Sequence, residues 1–320
     1  TPTVFTIHNG QYHGAFDWRH RRLLPSFDPA RGGLLDWDGL INPLATGIKC
    51  CWRLTTVSNG YLDELMKFSG GLEHLIRQEA PKARGIINGI DLQVWNPRKD
   101  SFLAHRLGRD LSAFKRKNKA ALRERFHFEE EQPVVTFIGR LVGEKGADLL
   151  PELFSTLLQR GAEACFLVLG TGEPWIHEEL KRLTKRHPGR VDAALEYNEQ
   201  LAHRLYAGSD FLLMPSRVEP CGLNQMYACR YATVPIVRSI GGLKDTIPDV
   251  EQDPENGLGF AFEDFSFSAA CKAVERALQF ARDGEALENL RRRILKADFS
   301  WDRSAREYRS LYRELLTQRP

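Results

Sequence analysis

The sequence predicts an α/β protein with parallel sheets, organised as two domains. Its 320 residues exceed what one ordinary hydrophobic core holds, which favours two cores. Short apolar runs alternate with stretches of helical periodicity, and this alternation is typical of buried parallel strands joined by helices. The segments predicted as strands are Thr3–Ile7, Thr55–Ser58, Gly85–Ile87, Val134–Ile138, Cys165–Leu169, Phe211–Met214 and Val234–Val237.

Helix candidates fill the intervals between these runs. They are Tyr61–Phe68, Leu149–Arg160, Ile176–Arg186, Gln200–Ala207, Phe267–Phe280 and, at the end of the chain, Asp302–Leu316. The pattern breaks near Asn88, and a fresh strand-loop-helix series begins at Val134. We therefore predict a first domain over 1–88, a second over 89–298 and a closing helix over 299–320 that packs back on the first domain. The chain opens on a strand without Met or a signal peptide. The first domain has only about three predicted strands against at least four in the second, so we expect it to lack its beginning.

Composition excludes several classes of function. The chain has 45 Lys and Arg against 42 Asp and Glu, so its charge gives no argument for binding nucleic acid. No apolar run approaches the roughly 20 residues that cross a bilayer. The 6 cysteines include no C-x-x-C pair and no zinc-ligand spacing, which favours reduced thiols in the cytoplasm and no metal site.

The segment Phe137–Gly146 combines a strand with a glycine-containing turn, and a helix is predicted to start near Ala147. Ligands of parallel sheets bind at this edge, and a helix N-terminus favours anions. Arg140 and Lys145 would face a phosphate there, because Arg donates two parallel hydrogen bonds and Lys adds a point charge. Taken alone, the two cations also fit an ordinary surface turn. The turn matches neither the dinucleotide fingerprint nor the P-loop, which argues against those classes.

A second strand-turn-helix segment, Met214–Gln225, contains a carboxylate in its Pro- and Gly-rich turn. Glu219 lies where it could bind sugar hydroxyls, and Gly222 and Leu223 could offer backbone N–H groups at the helix start. The alternative is structural: Glu219 caps the helix and Cys221 fills the core. The sequence pattern alone leaves both interpretations open.

A third such turn, Arg238–Asp245, contains a Gly-Gly pair. The segment Arg217–Gln225 of the second turn resembles the S-R-x-E-P-C-G-L-x-Q signature of bacterial glycogen synthases and plant starch synthases. Other segments agree with that family in order: Thr6–Asn9, Ile87–Asp91 with Trp95–Pro97, Gly139–Leu141 with Lys145–Gly146, Gly241–Leu243, and Asp298–Trp301 before the closing helix. The resemblance covers nearly the whole chain.

The resemblance implies a GT-B fold, in which two Rossmann-like doubly wound domains face a cleft, the first of them incomplete here. It also implies site residues. Glu219, His8, Arg140 and Lys145 match the family's catalytic positions, with His8 near the glucose 6-hydroxyl. Positions that match donor-binding residues are Arg140, Lys145, Asn88, Tyr197, Cys221, Gly222, Leu223, Gly241 and Gly242, and Tyr197 resembles the tyrosine that lies on adenine.

The implied activity is transfer of glucose from ADP-glucose to the non-reducing 4-hydroxyl of an α-1,4-glucan such as glycogen, with retention of configuration. No cofactor or metal is expected, and the partners are the donor and the glucan, with no nucleic acid or membrane. The family's Lys-x-Gly-Gly-Leu loop is absent from the chain. Two alternatives therefore stay open: a non-catalytic module that binds ADP or glucan, and a GT-B transferase of other specificity. A phosphorylase is disfavoured because its pyridoxal-binding Lys motif is missing.

Overall fold

A computed structural model describes residues 1–128 and 131–317, apart from the Pro29 side chain. Contacts between residues divide the chain into two units. The first consists of Thr1–Gly89 together with the segment that starts at Asp302, and the second is Ile90–Trp301. The first segment of the first unit ends one residue after the predicted boundary at 88. The second unit ends three residues after the predicted boundary at 298.

The first unit contains a parallel sheet in the order β1-β4-β5 and a small antiparallel pair, β2-β3. Its strands are β1 (Val4–Ile7), β2 (Asp36–Trp37), β3 (Leu40–Ile41), β4 (Arg53–Thr56) and β5 (Ala83–Gly85). Its first helices are α1 (Pro43–Cys50), α2 (Asn59–Leu65) and α3 (Glu73–Glu79). Short 3₁₀ segments at Trp18–Leu23 and Pro29–Leu34 fill the connection between β1 and β2.

Two predicted strands of this unit are placed too late in the sequence. The strand predicted over Thr55–Ser58 ends at Thr56, because the Ser58 hydroxyl accepts a hydrogen bond from Tyr61 N at 3.0 Å and caps α2. The strand predicted over Gly85–Ile87 ends at Gly85. A Cβ on Gly85 would lie 2.1 Å from Asn59 N, so this strand passes directly against the start of α2.

The second unit is a doubly wound sheet with the order β11-β10-β9-β6-β7-β8, in which every neighbouring pair is parallel. Its strands are β6 (Val134–Ile138), β7 (Cys165–Leu169), β8 (Val191–Ala194), β9 (Phe211–Met214), β10 (Val234–Arg238) and β11 (Phe260–Phe262). Its helices are α4 (Leu111–Phe126), α5 (Leu150–Gln159), α6 (Pro174–Arg186), α7 (Glu199–Gly208), α8 (Asn224–Arg230), α9 (Gly241–Thr246), α10 (Phe267–Phe280) and α11 (Gly284–Ile294). The strand order reverses between β6 and β9, and ligands of such sheets bind at that point.

The core of the second unit explains why its apolar runs become strands. All residues of β7 and β9 are buried, as expected for strands covered by helices on both faces. At the edge of the sheet where the strands begin, Asp210 directly precedes β9 and accepts a hydrogen bond from Val134 N at 2.8 Å. Its carboxylate also pairs with Lys119 at 2.8 Å and with Arg291. This buried cluster joins the starts of the two central strands to α4 and α11.

Three features of the second unit differ from the predictions. Strands β8 and β11 were not predicted, because Asp192 interrupts the apolar pattern of the first and the second has only three residues. The helix predicted to start near Ala147 begins at Leu150, after two 3₁₀ turns. Gly146, with φ of 69°, prevents a continuous helix, and Pro151 suits the first turn of α5.

The closing helix, α12 (Trp301–Thr317), follows the second unit, and from Asp302 on it belongs to the first. The Ser304 hydroxyl donates to Ile87 O at 2.6 Å, and Glu314 pairs with Arg84 at 3.1 Å. These contacts attach both ends of the helix to the segment around β5. In the part of the chain that the structure describes, no helix is long and apolar enough to cross a membrane.

Candidate active site

Two loops meet where the strand order of the second unit reverses, one after β6 and one after β9. The Lys145 ammonium, in the first loop, donates to Glu219 Oε1, in the second, at 2.7 Å. The Ser216 hydroxyl donates to the other carboxylate oxygen of Glu219 at 2.9 Å. Glu219 is 7% exposed, so this carboxylate is held by two partners in a nearly closed site.

Glycines bring the backbones of these loops together. Gly146 has a left-handed φ of 69°, and a Cβ there would lie 2.1 Å from Pro215 O. In the third turn, a Cβ on Gly241 would lie 2.1 Å from Glu219 O, and one on Gly242 would lie 2.0 Å from Cys221 O. Gly242 N donates to Glu219 O at 3.0 Å. The backbones of the three turns therefore pack directly against one another, and a side chain at these glycines has no room.

Arg217 fastens the two loops to each other. Its backbone N donates to Glu144 O at 2.8 Å, and its guanidinium donates to Gly143 O and to the Asp148 carboxylate. The guanidinium also lies 3.9 Å above the Phe265 ring. The hydrogen bonds to Asp148 raise the pKa of Arg217, which keeps its charge in place.

Arg140 occupies a more open position than Lys145. Its side chain is 60% exposed and pairs with Glu144 at 3.2 Å. Glu173, from the loop after β7, supports the same turn by accepting a hydrogen bond from Gly143 N at 3.2 Å. Arg140 is therefore the more accessible of the two predicted cations, while Lys145 is already engaged by Glu219.

Two adjoining cavities open at this edge of the sheet. The smaller, about 250 Å³, is lined by Phe137, Ile138, Gly139, Lys145, Met214, Ser216, Glu219, Gly222, Leu223 and Asn224. The larger, about 510 Å³, is lined by Trp95, Ile138, Gly139, Arg140, Leu169, Gly170, Thr171, Glu196, Tyr197, Asn198, Glu199, Ala202, Tyr206, Asn224 and Tyr227. Both share Ile138, Gly139 and Asn224, whose side-chain amide donates to Ile138 O at 2.6 Å. One elongated ligand with a charged centre would fill the pair.

The remaining predicted residues of this unit divide into two groups. Tyr197 lines the larger cavity and is 85% exposed, so its ring has a free face for stacking. Gly222 and Leu223 line the smaller cavity just before α8. Neither cavity is lined, as far as the described residues show, by Cys221, Gly241 or Gly242. These three residues lie where the turns pack against one another. The Cys221 carbonyl accepts a hydrogen bond from Gln225 Nε2 at 3.2 Å.

His8 and Asn88 belong to the first unit. His8 is exposed and follows β1 directly, at the carboxyl end of its sheet. The turn after it is fixed because Gly10 N donates to the Tyr61 hydroxyl at 2.7 Å. Asn88 is half-buried in the loop after β5, at the end of the unit.

Sequence reasoning had not assigned Ser216, Arg217, Asp148, Glu173 and Asn224 to the site. Ser216 and Arg217 belong to the recognised signature, which could have drawn attention to them. No local sequence pattern marks Glu173 or Asp148 as a residue of the site. Within residues 1–128 and 131–317, no group of three or more His, Cys, Asp or Glu side chains has the arrangement of a metal site. None of the six cysteines, all of which are described, forms a disulfide.

Comparisons with known proteins find relatives for both units of the chain. Residues 1–78 match the family model of the starch synthase catalytic domain, and residues 118–296 match that of glycosyl transferases group 1. A glycogen synthase of Flavobacterium johnsoniae is 43% identical over 319 residues, which are 99% of this chain and 67% of that protein. A glycogen synthase of Marinobacter nauticus is 41% identical, over 98% of this chain and 65% of that protein.

Solved structures give the same result. The catalytic domain of starch synthase IV from Arabidopsis thaliana, bound to ADP and acarbose, has a TM-score of 0.88 and 32% identity, covering 99% of this chain and 67% of that one. A sucrose-phosphate synthase from Thermosynechococcus elongatus, at 18% identity and a TM-score of 0.62, shares the fold, over 99% of this chain and 68% of that one. The chain is a glycosyltransferase of GT-B architecture, so the predicted fold class is confirmed.

Within that class, the chain belongs to the family of bacterial glycogen synthases and plant starch synthases, as the signature in the sequence indicated. It spans about two thirds of the length of the relatives that it matches.

Proposed function

We propose that the chain transfers glucose from ADP-glucose to the non-reducing 4-hydroxyl of an α-1,4-glucan, with retention of configuration, in glycogen biosynthesis. The observation that carries this proposal is the Lys145–Glu219 pair at the point where the strand order reverses, in the smaller of two adjoining cavities. Such a site joins a cation for the leaving diphosphate to a carboxylate for the sugar.

The side chains that line the two cavities support a nucleotide sugar as the donor. The larger cavity has aromatic side chains and the exposed Tyr197 ring, which suit a nucleoside. The smaller contains Lys145, Ser216 and Glu219, which suit a diphosphate and a glucose. The relative from Arabidopsis was solved with ADP and acarbose, which supports ADP as the nucleotide.

In the proposed reaction, the bond between glucose C1 and the diphosphate breaks, and the bond between C1 and the acceptor O4 forms on the same face. The departing phosphate oxygen takes the proton of the acceptor hydroxyl, so ADP leaves and the glucan gains one residue. Arg140 and Lys145 stabilise the negative charge that develops on the diphosphate. No metal or other cofactor is required in this scheme, because the two cations supply the neutralising charge.

Glu219 acts in this scheme by orienting and stabilising the sugar rather than by attacking it. Both of its carboxylate oxygens accept a hydrogen bond, one from Lys145 and one from Ser216, which lowers their nucleophilicity. A carboxylate held in this way still stabilises positive charge that develops on the glucose ring. For His8 and Asn88, the match to the family's positions supports a role in binding the sugar.

We also propose that the reaction takes place in the cytoplasm. Five of the six cysteines are buried and none is oxidised to a disulfide, which suits a reducing compartment.

The test is incorporation of labelled glucose into glycogen from ADP-glucose, with UDP-glucose in parallel. The proteins are this chain, the same chain joined to the third of the Flavobacterium johnsoniae relative that the match leaves out, and the Glu219→Gln variant of each. Glu255→Gln, at an exposed position, is the matched control. We expect transfer that falls by about a hundredfold or more in Glu219→Gln and is unchanged in Glu255→Gln.

Each outcome selects one function. Preference for ADP-glucose over UDP-glucose supports the proposed donor, and the reverse preference overturns it. If neither the chain nor the joined protein transfers glucose although both are folded and bind ADP, the protein is a binding module for the nucleotide. If neither binds ADP, the assignment of the site is wrong.

A further inference from the structure

A short turn, Trp95–Asp100, supplies both a wall of the larger cavity and an anchor behind that wall. The Trp95 ring stacks on Tyr227, with centroids 3.7 Å apart, and on His203, with centroids 4.1 Å apart. The two rings lie on opposite faces of Trp95, since no ring contact joins Tyr227 to His203 in the described part of the chain. Trp95 therefore presents an edge to the cavity, not a face.

A buried hydrogen-bonded cluster holds His203 in this stack. His203 Nδ1 lies 2.6 Å from Asp100 Oδ2, and the Tyr231 hydroxyl donates to the same oxygen at 2.6 Å. The other oxygen of Asp100 accepts a hydrogen bond from Phe102 N at 2.9 Å. Burial alone would raise the pKa of Asp100, but the hydrogen bonds of His203 and Tyr231 lower it below its usual value, so the anchor stays ionised.

The stack and the hydrogen-bonded cluster connect the two ends of the same turn through His203. Asp100 follows Trp95 by five positions in the same turn, while His203 comes from α7 and stacks back on Trp95. Movement of Trp95 would therefore have to break either the stack or the buried hydrogen bond between His203 and Asp100. This arrangement fixes the position of the Trp95 edge that lines the cavity.

Packing alone does not account for a histidine at position 203. The residue is 1% exposed, and its Nε2 has no hydrogen-bond partner among the described residues. A buried polar atom without a partner is destabilising, whereas a phenyl ring would fill the same space without that cost. What the imidazole adds is the contact from Nδ1 to Asp100.

We propose that His203 is a positioning residue for the donor: anchored by Asp100, it holds Trp95 so that the Trp95 edge and Tyr227 form a rigid wall for the nucleoside. This inference rests on the proposed function, since it assigns the larger cavity to the nucleoside. It separates two parts of the site: Lys145, which acts on the diphosphate, lines only the smaller cavity, and the Arg140 side chain, which lines the larger one, is held by Glu144 rather than by the wall. Loosening the wall should weaken binding of the nucleoside and leave binding of the diphosphate unchanged.

The experiment compares two ligands, ADP and inorganic pyrophosphate, by calorimetric titration of the full chain. The variants are His203→Phe, which keeps a stacking ring and loses the anchor, and Asp100→Asn, which keeps the shape of the anchor and loses its charge. We expect the Kd for ADP to rise by about five- to tenfold and the Kd for pyrophosphate to change by less than about twofold.

Two further variants complete the design. His187→Phe is the matched control, because His187 follows α6 in the connection to β8, at the sheet edge opposite the cavities, and we expect wild-type affinities. Tyr231→Phe keeps the ring and removes one hydrogen bond to Asp100, so it provides a milder test where His203→Phe does not fold. For Tyr231→Phe we expect the Kd for ADP to rise by about two- to threefold.

The outcomes separate this inference from the proposed function. If the wild-type chain binds pyrophosphate but not ADP, the nucleoside assignment fails, and the inference fails with it. If the wild type binds ADP and the folded variants bind it equally well, the positioning role is wrong and the proposed function stands. Equal losses of ADP and pyrophosphate affinity would also overturn it, because they indicate collapse of the whole site.

Discussion

Arg217 and Asp148 form a two-pronged ion pair that joins the loop containing Glu219 to the loop containing Lys145. Nη1 of Arg217 lies 2.6 Å from Oδ1 of Asp148, and Nη2 lies 2.7 Å from Oδ2. Neither residue lines either cavity, as far as the described residues show. The pair acts on the site through the backbone, because it sets the distance between the two loops from which Lys145 and Glu219 meet.

Replacing Arg217 with Lys should weaken the site without unfolding the domain. Lysine keeps the charge but loses the fork to Asp148 and the stacking on Phe265. We expect kcat/KM for ADP-glucose to fall by about tenfold, or about 1.4 kcal/mol. The control is Arg160→Lys, which alters an exposed ion pair with Glu275 away from the cavities. Equal activity of the two variants would contradict the role given to Arg217.

Replacing Lys145 with Met should reduce kcat more than substrate affinity. Its ammonium is the half-buried cation beside Glu219, and removing a preorganised charge of this kind costs about a hundred- to a thousandfold in kcat. The substitution also leaves the Glu219 carboxylate without its cation. We therefore expect the double variant Lys145→Met/Glu219→Gln to unfold at a higher temperature than Lys145→Met alone, as measured by calorimetry. A lower unfolding temperature would show that the two charges are not coupled.

Gly146→Ala should displace the Lys145 loop. The added methyl group would lie 2.1 Å from Pro215 O, and Gly146 has a left-handed backbone. We expect the Kd for ADP to rise by about tenfold or more, since the loop has to shift away from Pro215. Gly161→Ala is the matched control: its φ of 82° carries the same backbone strain, but nothing lies within 4 Å of the added methyl group. The difference in the Kd for ADP between the two variants measures the effect of the clash with Pro215. Equal Kd values would contradict the predicted displacement of the loop.

Asp210 should make the stability of the second unit depend on pH under acidic conditions. Burial raises the pKa of Asp210, but Lys119 and Arg291 lower it from 3.8 to about 2. Because the folded pKa lies below the unfolded one, the carboxylate stabilises the fold above pH 4, and this contribution disappears as the pH falls toward 2. The contribution is about 2 kcal/mol.

This prediction is checked by denaturant unfolding at several pH values between 7 and 2. Asp210→Asn should lower the free energy of unfolding at pH 7 by about 3 kcal/mol or more, because it leaves the buried Arg291 and the half-buried Lys119 without their partner. The variant should also lose the steep part of the pH dependence below pH 4. Asp264→Asn, at an exposed position, should behave as the wild type. An unchanged slope in Asp210→Asn would assign the acid sensitivity to other groups.

Several elements of the site were accessible from the sequence because they depend on local order along the chain. The turn from Gly139 to Lys145 and the turn around Glu219 were both predicted as strand-to-helix connections, since an apolar run precedes each of them. The structure changed the details: the first turn is followed by 3₁₀ segments, not directly by a helix. That difference arises from the left-handed conformation of Gly146, which local periodicity does not report.

Other elements depend on residues that are distant in sequence. Strand β8 contains Asp192 and has no apolar periodicity, yet it pairs with β7 because the sheet provides the partner. His203 is a helix residue without any functional pattern, and only its stacking on Trp95 and its contact with Asp100 distinguish it.

By itself the sequence determined the α/β class, the family and the two loops that carry Lys145 and Glu219, because apolar periodicity and short motifs are local properties. Only the tertiary structure decided that these two side chains meet, 74 positions apart, at 2.7 Å. The physical reason is the strand order: β9 lies beside β6 in the sheet, so the loops that leave their carboxyl ends share one crevice. The sequence of neither loop shows which strand will pair with the strand that precedes it.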